Sequence, residues 1–203
     1  MLRVGLTGGY ATGKSYAAGE LERLGAKIIY ADRLGHEVLL PSGEAYAPAL
    51  QLFGPDILAS DGLIDRRRLA QIVFGHPERL KQLSDLVHPG VRRQEAKLVA
   101  EYAERDPRAV IVTEAAILIE TGRYKGFDRL IVTVCSLETQ IRRAIKRDGV
   151  SRDEVMERIG RQMPSDQKQT YAHYVVNTDN LKAVTRARVE TIFSELSKLA
   201  SNT

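Results

Sequence analysis

The chain has 203 residues, 43% of them apolar and 28% charged, enough for one compact unit with a real core and room for an inserted subdomain. Its 16 Gly and 7 Pro exclude collagen-like or low-complexity architecture. No apolar run reaches membrane-span length, the opening Met1–Gly5 lacks a basic-then-apolar leader, and the lone Cys135 excludes an internal disulfide framework, so a soluble cytoplasmic protein is expected.

Arg3–Thr7 reads as a short buried strand running into a glycine-rich turn, and helical periodicity from Lys14 to about Leu24 stops at Gly25. Ala26–Tyr30 is a second strand. Asp32 is placed to cap a helix over 33–39, which Pro41-Ser42-Gly43 breaks. This strand, helix, strand unit argues for a parallel sheet covered by helices, because parallel neighbours need a long crossover. From Glu44 to about Arg105 no β-branched run occurs; helical stretches alternate with Gly54-Pro55, Asp61-Gly62 and Gly75-His76-Pro77, the pattern of a helical insertion. Sheet character returns at Ala109–Thr113 and Leu130–Val134. Residues 138–163 are helical and charged, with a break near Gly149 and a capping box from Ser151 to Glu154. Pro164-Ser165 opens a short segment, Tyr174–Val176 is the last strand, and Asn180–Ala200 a terminal amphipathic helix.

Gly8-Gly9-Tyr10-Ala11-Thr12-Gly13-Lys14-Ser15 matches G-x-x-x-x-G-K-[ST] and lies between a predicted strand and a predicted helix, the context this motif requires. Glycines let backbone N–H groups converge on phosphate oxygens, and the helix that begins there adds its positive end. Lys14 is expected to reach the β- and γ-phosphates, and the Ser15 hydroxyl to ligate a bridging Mg²⁺. Tyr10 and Ala11 are bulkier than glycine, so their backbone is expected in a conformation open to ordinary residues. Arg66–Arg68 forms one basic cluster, and Arg142, Arg143, Lys146 and Arg147 another; Arg143 and Arg147 lie one helical turn apart. A solvated basic face is the plain reading of the second cluster. The net charge of +4 decides nothing alone, and 12 aromatics without a Trp give no interleaved basic and aromatic pattern of a single-strand binder.

A phosphate loop does not by itself choose among motors, switches and kinases. Asn177, Asn180 and Asn202 give no N-K-x-D match for guanine, and Asp32-Arg33-Leu34-Gly35 follows the second strand too directly for a switch segment. A phosphate-loop core, a helical insertion after strand two and a basic helical segment before the last strand make the layout of a small nucleotide or metabolite kinase.

Within that layout the chain resembles the dephospho-CoA kinase family over almost its whole length. Gly5-Leu6-Thr7-Gly8-Gly9 through Gly13-Lys14-Ser15 is similar to that family's opening, Ala31-Asp32 to its Asp-Ala-Asp element, His88-Pro89 to its His-Pro pair, and Glu114–Glu120 to its strand-three signature. Gln140, Arg143 and Arg147 fit its Gln-x-x-Arg-x-x-x-Arg helix, and Arg158 to Gln162, Lys168 and Asn177 fit its tail. Tyr30 stands where the family has its first Asp, Ala115-Ala116 where it has Pro-Leu, and Tyr10 where it has an aliphatic residue.

The resemblance implies an α/β, P-loop nucleotide-kinase-like fold: a five-stranded parallel sheet in the order 2-3-1-4-5, flanked by helices. It implies a core of 1–31, 108–136 and 170–203, a helical substrate-binding subdomain of 32–107 and a lid of 137–169. It further implies ATP and Mg²⁺, with phosphorylation of the ribose 3′-hydroxyl of dephospho-CoA. Asp32 would orient or deprotonate that hydroxyl, and Lys14, Arg143 and Arg147 would stabilise the transferring phosphate. Gly8, Gly9, Ala11, Thr12, Gly13, Lys14, Ser15, Tyr16 and Asn177 would contact the nucleotide, and Ser15 and Glu114 would hold the metal. The expected partner is the small-molecule acceptor, with no nucleic acid and no membrane, the chain being a monomer or weak oligomer. Another hydroxyl or nucleoside monophosphate acceptor is the alternative within this class, and an ATP-switched nucleic-acid or protein partner the alternative outside it. Bland readings stand beside these roles: Asp32 as a helix cap, Glu114 as a solvated strand-end acid, His88 as a helix-start or packing residue, Asn177 as a strand end and Cys135 as a buried, inert thiol.

Overall fold

The computed structural model describes residues 1–73 and 75–202. Strand β1 (Leu2–Gly8) is buried at every position but Arg3, and β3 (Val110–Glu114) at every position, the signature of central strands covered on both faces. With β2 (Lys27–Tyr30), β4 (Arg129–Val134) and β5 (Tyr174–Asn177) they form a five-stranded sheet in the order β2-β3-β1-β4-β5. Every pairing is parallel, as the alternation of strands and helices requires. The register sets Leu6 beside Glu114, Gly8 beside Thr133, and Val134 beside Asn177, so the carboxyl ends of the strands gather along one edge.

Two compact units divide the chain, one made of 1–30 with 101–203 and the other of 31–100. The first unit holds the sheet. Helices α1 (Lys14–Arg23) and α9 (Lys182–Ser201) cover one face of it, and Ala17, Leu21, Val189, Ile192 and Leu196 bury themselves against Val4, Leu6, Val112 and Ile131. Each fully buried Val, Leu or Ile of this kind contributes roughly 1.5–3 kcal/mol of transfer free energy to holding the helices on the sheet. The same unit carries α6 (Leu137–Asp148), α7 (Arg152–Gly160) and α8 (Ser165–Gln169). Ser136 caps α6 through its side chain, and Ser151 and Glu154 form the expected capping box at α7.

The second unit contains α2 (Ala31–Glu37), α3 (Tyr46–Phe53), α4 (Arg66–Val73) and the start of α5 (Pro77–Arg105), which carries the chain back to the first unit. Its core is Ala49, Ile57, Ile64, Leu69 and Val73. Asp65 caps α4, accepting from the backbone N–H groups of Arg67 at 2.8 Å and Arg68 at 3.2 Å.

Two local expectations need correction. Asp32 lies inside the first turn of α2, which already begins at Ala31, so it does not cap that helix from outside. His88-Pro89 does not begin a helix: Pro89 lies within α5. An interior proline loses one backbone bond and costs about 3 kcal/mol, which tertiary burial on both sides offsets here. Leu83 and Leu86 pack on the second unit's core before the proline, and Gly90, Val91 and Glu95 are buried after it.

Candidate active site

β1 delivers the chain to the carboxyl edge of the sheet, where open α/β folds take their ligands. At Gly8 no side chain fits, because a Cβ would stand 2.3 Å from Thr133 Oγ1 and 2.6 Å from the Thr133 carbonyl oxygen. Gly13, at φ 88° and ψ 23°, is the left-handed N-cap of α1 and offers no side-chain acceptor; the first turn of α1 contains no acid. The first amides of that helix therefore find neither a side-chain cap nor a competing carboxylate, and its positive end suits an anion. Lys14 Nζ donates to the carbonyls of Gly8 at 3.1 Å and Gly9 at 2.9 Å, which lays the ammonium along the loop.

Ala11 corrects the expectation of ordinary backbone at both bulky loop positions. It sits at φ 57°, in the left-handed region, which costs an L-residue about 1–2 kcal/mol. Buried threonine hydroxyls, one on the next residue and two from distant strand ends, hold the loop in that shape. Thr12 Oγ1 donates to the Gly9 carbonyl at 2.8 Å and meets Thr133 Oγ1 at 2.8 Å, while Thr178 Oγ1 donates to the Thr12 carbonyl at 2.8 Å. Thr12 thus turns its hydroxyl into the protein, so any nucleotide contact it makes is through its backbone. Sequence reasoning assigned no role to Thr133 or Thr178; their only signal was a threonine at or just past the end of an apolar strand.

Ser15 is exposed in the first turn of α1, and Glu114, buried, ends β3 in register with Leu6, close to where β1 enters the loop. Among the described residues no three His, Cys, Asp or Glu side chains converge as a metal-ligand set. One hydroxyl, one carboxylate and substrate phosphates nevertheless fit Mg²⁺, which keeps most of its waters and takes few protein ligands. Tyr16 turns its hydroxyl to the Lys182 carbonyl at 3.3 Å. Asn177 ends β5, its Oδ1 accepting from the Asp179 N–H at 2.9 Å, an arrangement that shapes the following turn.

The basic helical segment is attached to the phosphate loop. Arg143 donates through Nη1 to Thr178 Oγ1 at 2.8 Å and through Nη2 to the Thr178 carbonyl at 2.6 Å, so it grips the same threonine that holds Thr12. Arg147 forms a two-point ion pair with Asp148 at 2.7 and 2.9 Å and lies over the Tyr10 ring. The bonds from Arg147, and then from Tyr10, hold the Asp148 carboxyl well below the usual range against the opposing effect of desolvation. Arg152 pairs with Glu138 and Arg161 with Glu157. Cys135 is half-buried rather than buried, and desolvation raises its thiol pKa despite Arg143 nearby.

Lys168 was named only through the family's tail, and the structure gives it a definite task. It is fully buried, yet its ammonium donates to the Ala116 carbonyl at 3.0 Å and pairs with Glu120 at 2.7 Å. Thr7 Oγ1 donates to the same Ala116 carbonyl at 3.1 Å, and Glu120 also accepts from the Met163 N–H at 3.2 Å. α8 is thereby fastened to the segment that follows Glu114. Desolvation opposes ionisation of Glu120, but Lys168 prevails and holds its pKa below the ordinary value. Lys168→Met, which keeps the bulk and removes the charge, is expected to cost about 3 kcal/mol in urea unfolding, the low end for a broken buried pair because Glu120 keeps some contact with water. An unchanged urea midpoint would contradict that role.

In the second unit, Asp32 is exposed on α2 with His36 one turn further on, and His36 Nδ1 lies 3.4 Å from an Arg66 guanidinium nitrogen. Burial first, and then Arg66, lower the pKa of His36. Arg68 is occupied structurally, donating to the Leu58 carbonyl at 2.6 Å and pairing with Asp65 at 3.4 Å. His88 is exposed in the interior of α5.

A glycine cradle between β1 and α1, with Lys14 and Ser15 at the helix start, on a parallel sheet ordered β2-β3-β1-β4-β5, defines a P-loop kinase fold. The family model described as dephospho-CoA kinase matches residues 2–183. The dephospho-CoA kinase of Geobacter metallireducens is 39% identical over 195 residues, covering 96% of each chain, and that of Aquifex aeolicus is 35% identical over 198 residues, covering 98% of this chain and 99% of the other. A crystal structure from Thermus thermophilus superposes with a TM-score of 0.81 at 31% identity, covering 96% of this chain and 97% of that one. The dephospho-CoA kinase of Campylobacter jejuni shares the fold at a TM-score of 0.65 and 24% identity, covering 97% of both chains. The chain belongs to the dephospho-CoA kinase family.

Proposed function

We propose that this protein transfers the γ-phosphoryl group of ATP to the ribose 3′-hydroxyl of dephospho-CoA, giving CoA and ADP, the final step of CoA synthesis. The observation that carries the phosphoryl-transfer half of this reading is the uncapped, acid-free start of α1 with Lys14 laid along the loop carbonyls. Family membership supplies the acceptor.

Phosphoryl transfer asks the protein for positioning and charge neutralisation more than for covalent chemistry. The loop amides and Lys14 hold the β- and γ-phosphates, Arg143 and Arg147 offset charge on the transferring group, and Asp32 orients the acceptor hydroxyl and takes its proton. Ser15 and, through water, Glu114 would hold Mg²⁺, which would supply neutralisation of charge on the phosphate oxygens. Among the described residues no helix is long and apolar enough to cross a membrane. We place the reaction in the cytoplasm and read the acting species as a monomer or weak oligomer.

The test is ADP release from Mg-ATP with dephospho-CoA, adenosine monophosphate, cytidine monophosphate or no acceptor. Turnover is expected with dephospho-CoA alone. Turnover with only a monophosphate would keep the cradle and reject the acceptor.

A further inference from the structure

The side chain of Tyr10 belongs to none of the roles above. It projects from the phosphate loop into the basic helical segment, where it meets two arginines from different helices. The Arg147 guanidinium carbon of α6 lies 5.3 Å from the ring centroid, and that of Arg158 of α7 lies 5.5 Å from it. Both distances fall within the range in which a cation is attracted to an aromatic face. The phenol joins the same group of charges: Tyr10 Oη donates to Asp148 and accepts from Arg158 Nη1 at 2.9 Å. Asp148 is itself the two-point partner of Arg147 and lies 3.9 Å from Arg158 Nη1. On the backbone side, the Tyr10 N–H donates to Gln162 Oε1 at 2.7 Å. Tyr10 and Ala11 also pack on the small apolar cluster of Ile141, Ala144 and Val155, which joins α6 to α7.

We propose that Tyr10 is a positioning residue for phosphoryl transfer, whose ring and hydroxyl hold Arg147 and Arg158 at the phosphate loop before nucleotide binds. The proposal rests on the phosphoryl-transfer reading for its catalytic consequence and on geometry alone for its structural one. Free arginine side chains lose rotamer entropy when fixed, and two neighbouring guanidiniums repel one another. A ring that attracts both cations, a carboxylate between them and a hydroxyl that bonds to the carboxylate and to Arg158 remove most of that cost in the free enzyme. The arginines need then not be recruited when substrate arrives. An aliphatic residue fills the apolar cluster equally well and holds neither guanidinium.

The test compares the wild type with Tyr10→Phe, which keeps the ring and loses the hydroxyl, and Tyr10→Leu, which keeps only apolar bulk. The readouts are hydrogen exchange over residues 144–160 without nucleotide, steady-state kinetics with Mg-ATP and dephospho-CoA, and the melting temperature. In Tyr10→Leu, exchange over 144–160 is expected to rise at least fivefold and kcat to fall at least tenfold, while KM for dephospho-CoA stays within twofold. Tyr10→Phe is expected to lie between, with about a threefold loss of kcat. A residue that merely packs would give a Tyr10→Leu protein with a lowered melting temperature, wild-type kcat and unchanged exchange, and that result overturns the proposal. Faster exchange with wild-type kcat overturns its catalytic part. If Tyr10→Leu does not fold, wild-type exchange and kcat in Tyr10→Phe reject the hydroxyl's role. If the wild type fails to phosphorylate dephospho-CoA, the function reading falls while the exchange comparison still decides whether Tyr10 holds the two arginines.

Discussion

Lys14→Ala is expected to turn over about a thousandfold more slowly than the wild type, the loss typical of removing one preorganised charge-stabilising group. The ammonium lies on the carbonyls of Gly8 and Gly9, so it is already within the loop that is to hold the phosphates and needs only to exchange carbonyl partners for phosphate oxygens. Alanine keeps the helix start and removes the point charge. The loop's shape does not depend on Lys14, because Thr12, Thr133 and Thr178 hold it from beneath, so the urea midpoint is expected to move little. ADP release at saturating Mg-ATP and dephospho-CoA is the measurement, and a near-normal rate would remove Lys14 from the site.

Asp32→Asn is expected to lower kcat by about a hundredfold to ten-thousandfold, the range for a positioned general base, with a much smaller change in KM for dephospho-CoA. The substitution keeps size and hydrogen-bonding capacity while removing the charge and the proton acceptor. Because Asp32 is exposed within the first turn of α2 rather than serving as its cap, the fold asks little of its carboxylate. The melting temperature separates the two readings: a large fall in stability with modest kinetic loss would make Asp32 a structural residue. Tyr30 sharpens the expectation, because it offers no carboxylate two residues before Asp32 to share the work.

The sheet was legible because its strands are apolar runs bounded by turn residues, and the order of those runs with helices between them leaves few parallel topologies. The order of the strands in the sheet came from family likeness, since periodicity carries no information on which strand neighbours which. Gly8, Lys14 and Ser15 could be read from their spacing alone. Ala11 could not, because its left-handed backbone is imposed by hydroxyl bonds from residues far away in sequence. Pro89 misled for the opposite reason: the local rule for proline is sound, but burial on both sides outweighs it within α5. Lys168 enters the sequence reading only through likeness to the family's tail, and only the fold brings Glu120 and the Ala116 carbonyl to it. Asp148 is similar, an acid after a basic run whose partners Tyr10 and Arg158 come from other elements.

The threonine bonds beneath the phosphate loop have a thermal consequence. Thr133 is the register partner of Gly8 in the sheet, and Thr178 follows directly after β5, so the Thr12 part of the loop is hung from the strands. Its conformation then persists as long as the strands stay paired. On heating, this part of the loop is expected to keep its shape until the strands separate.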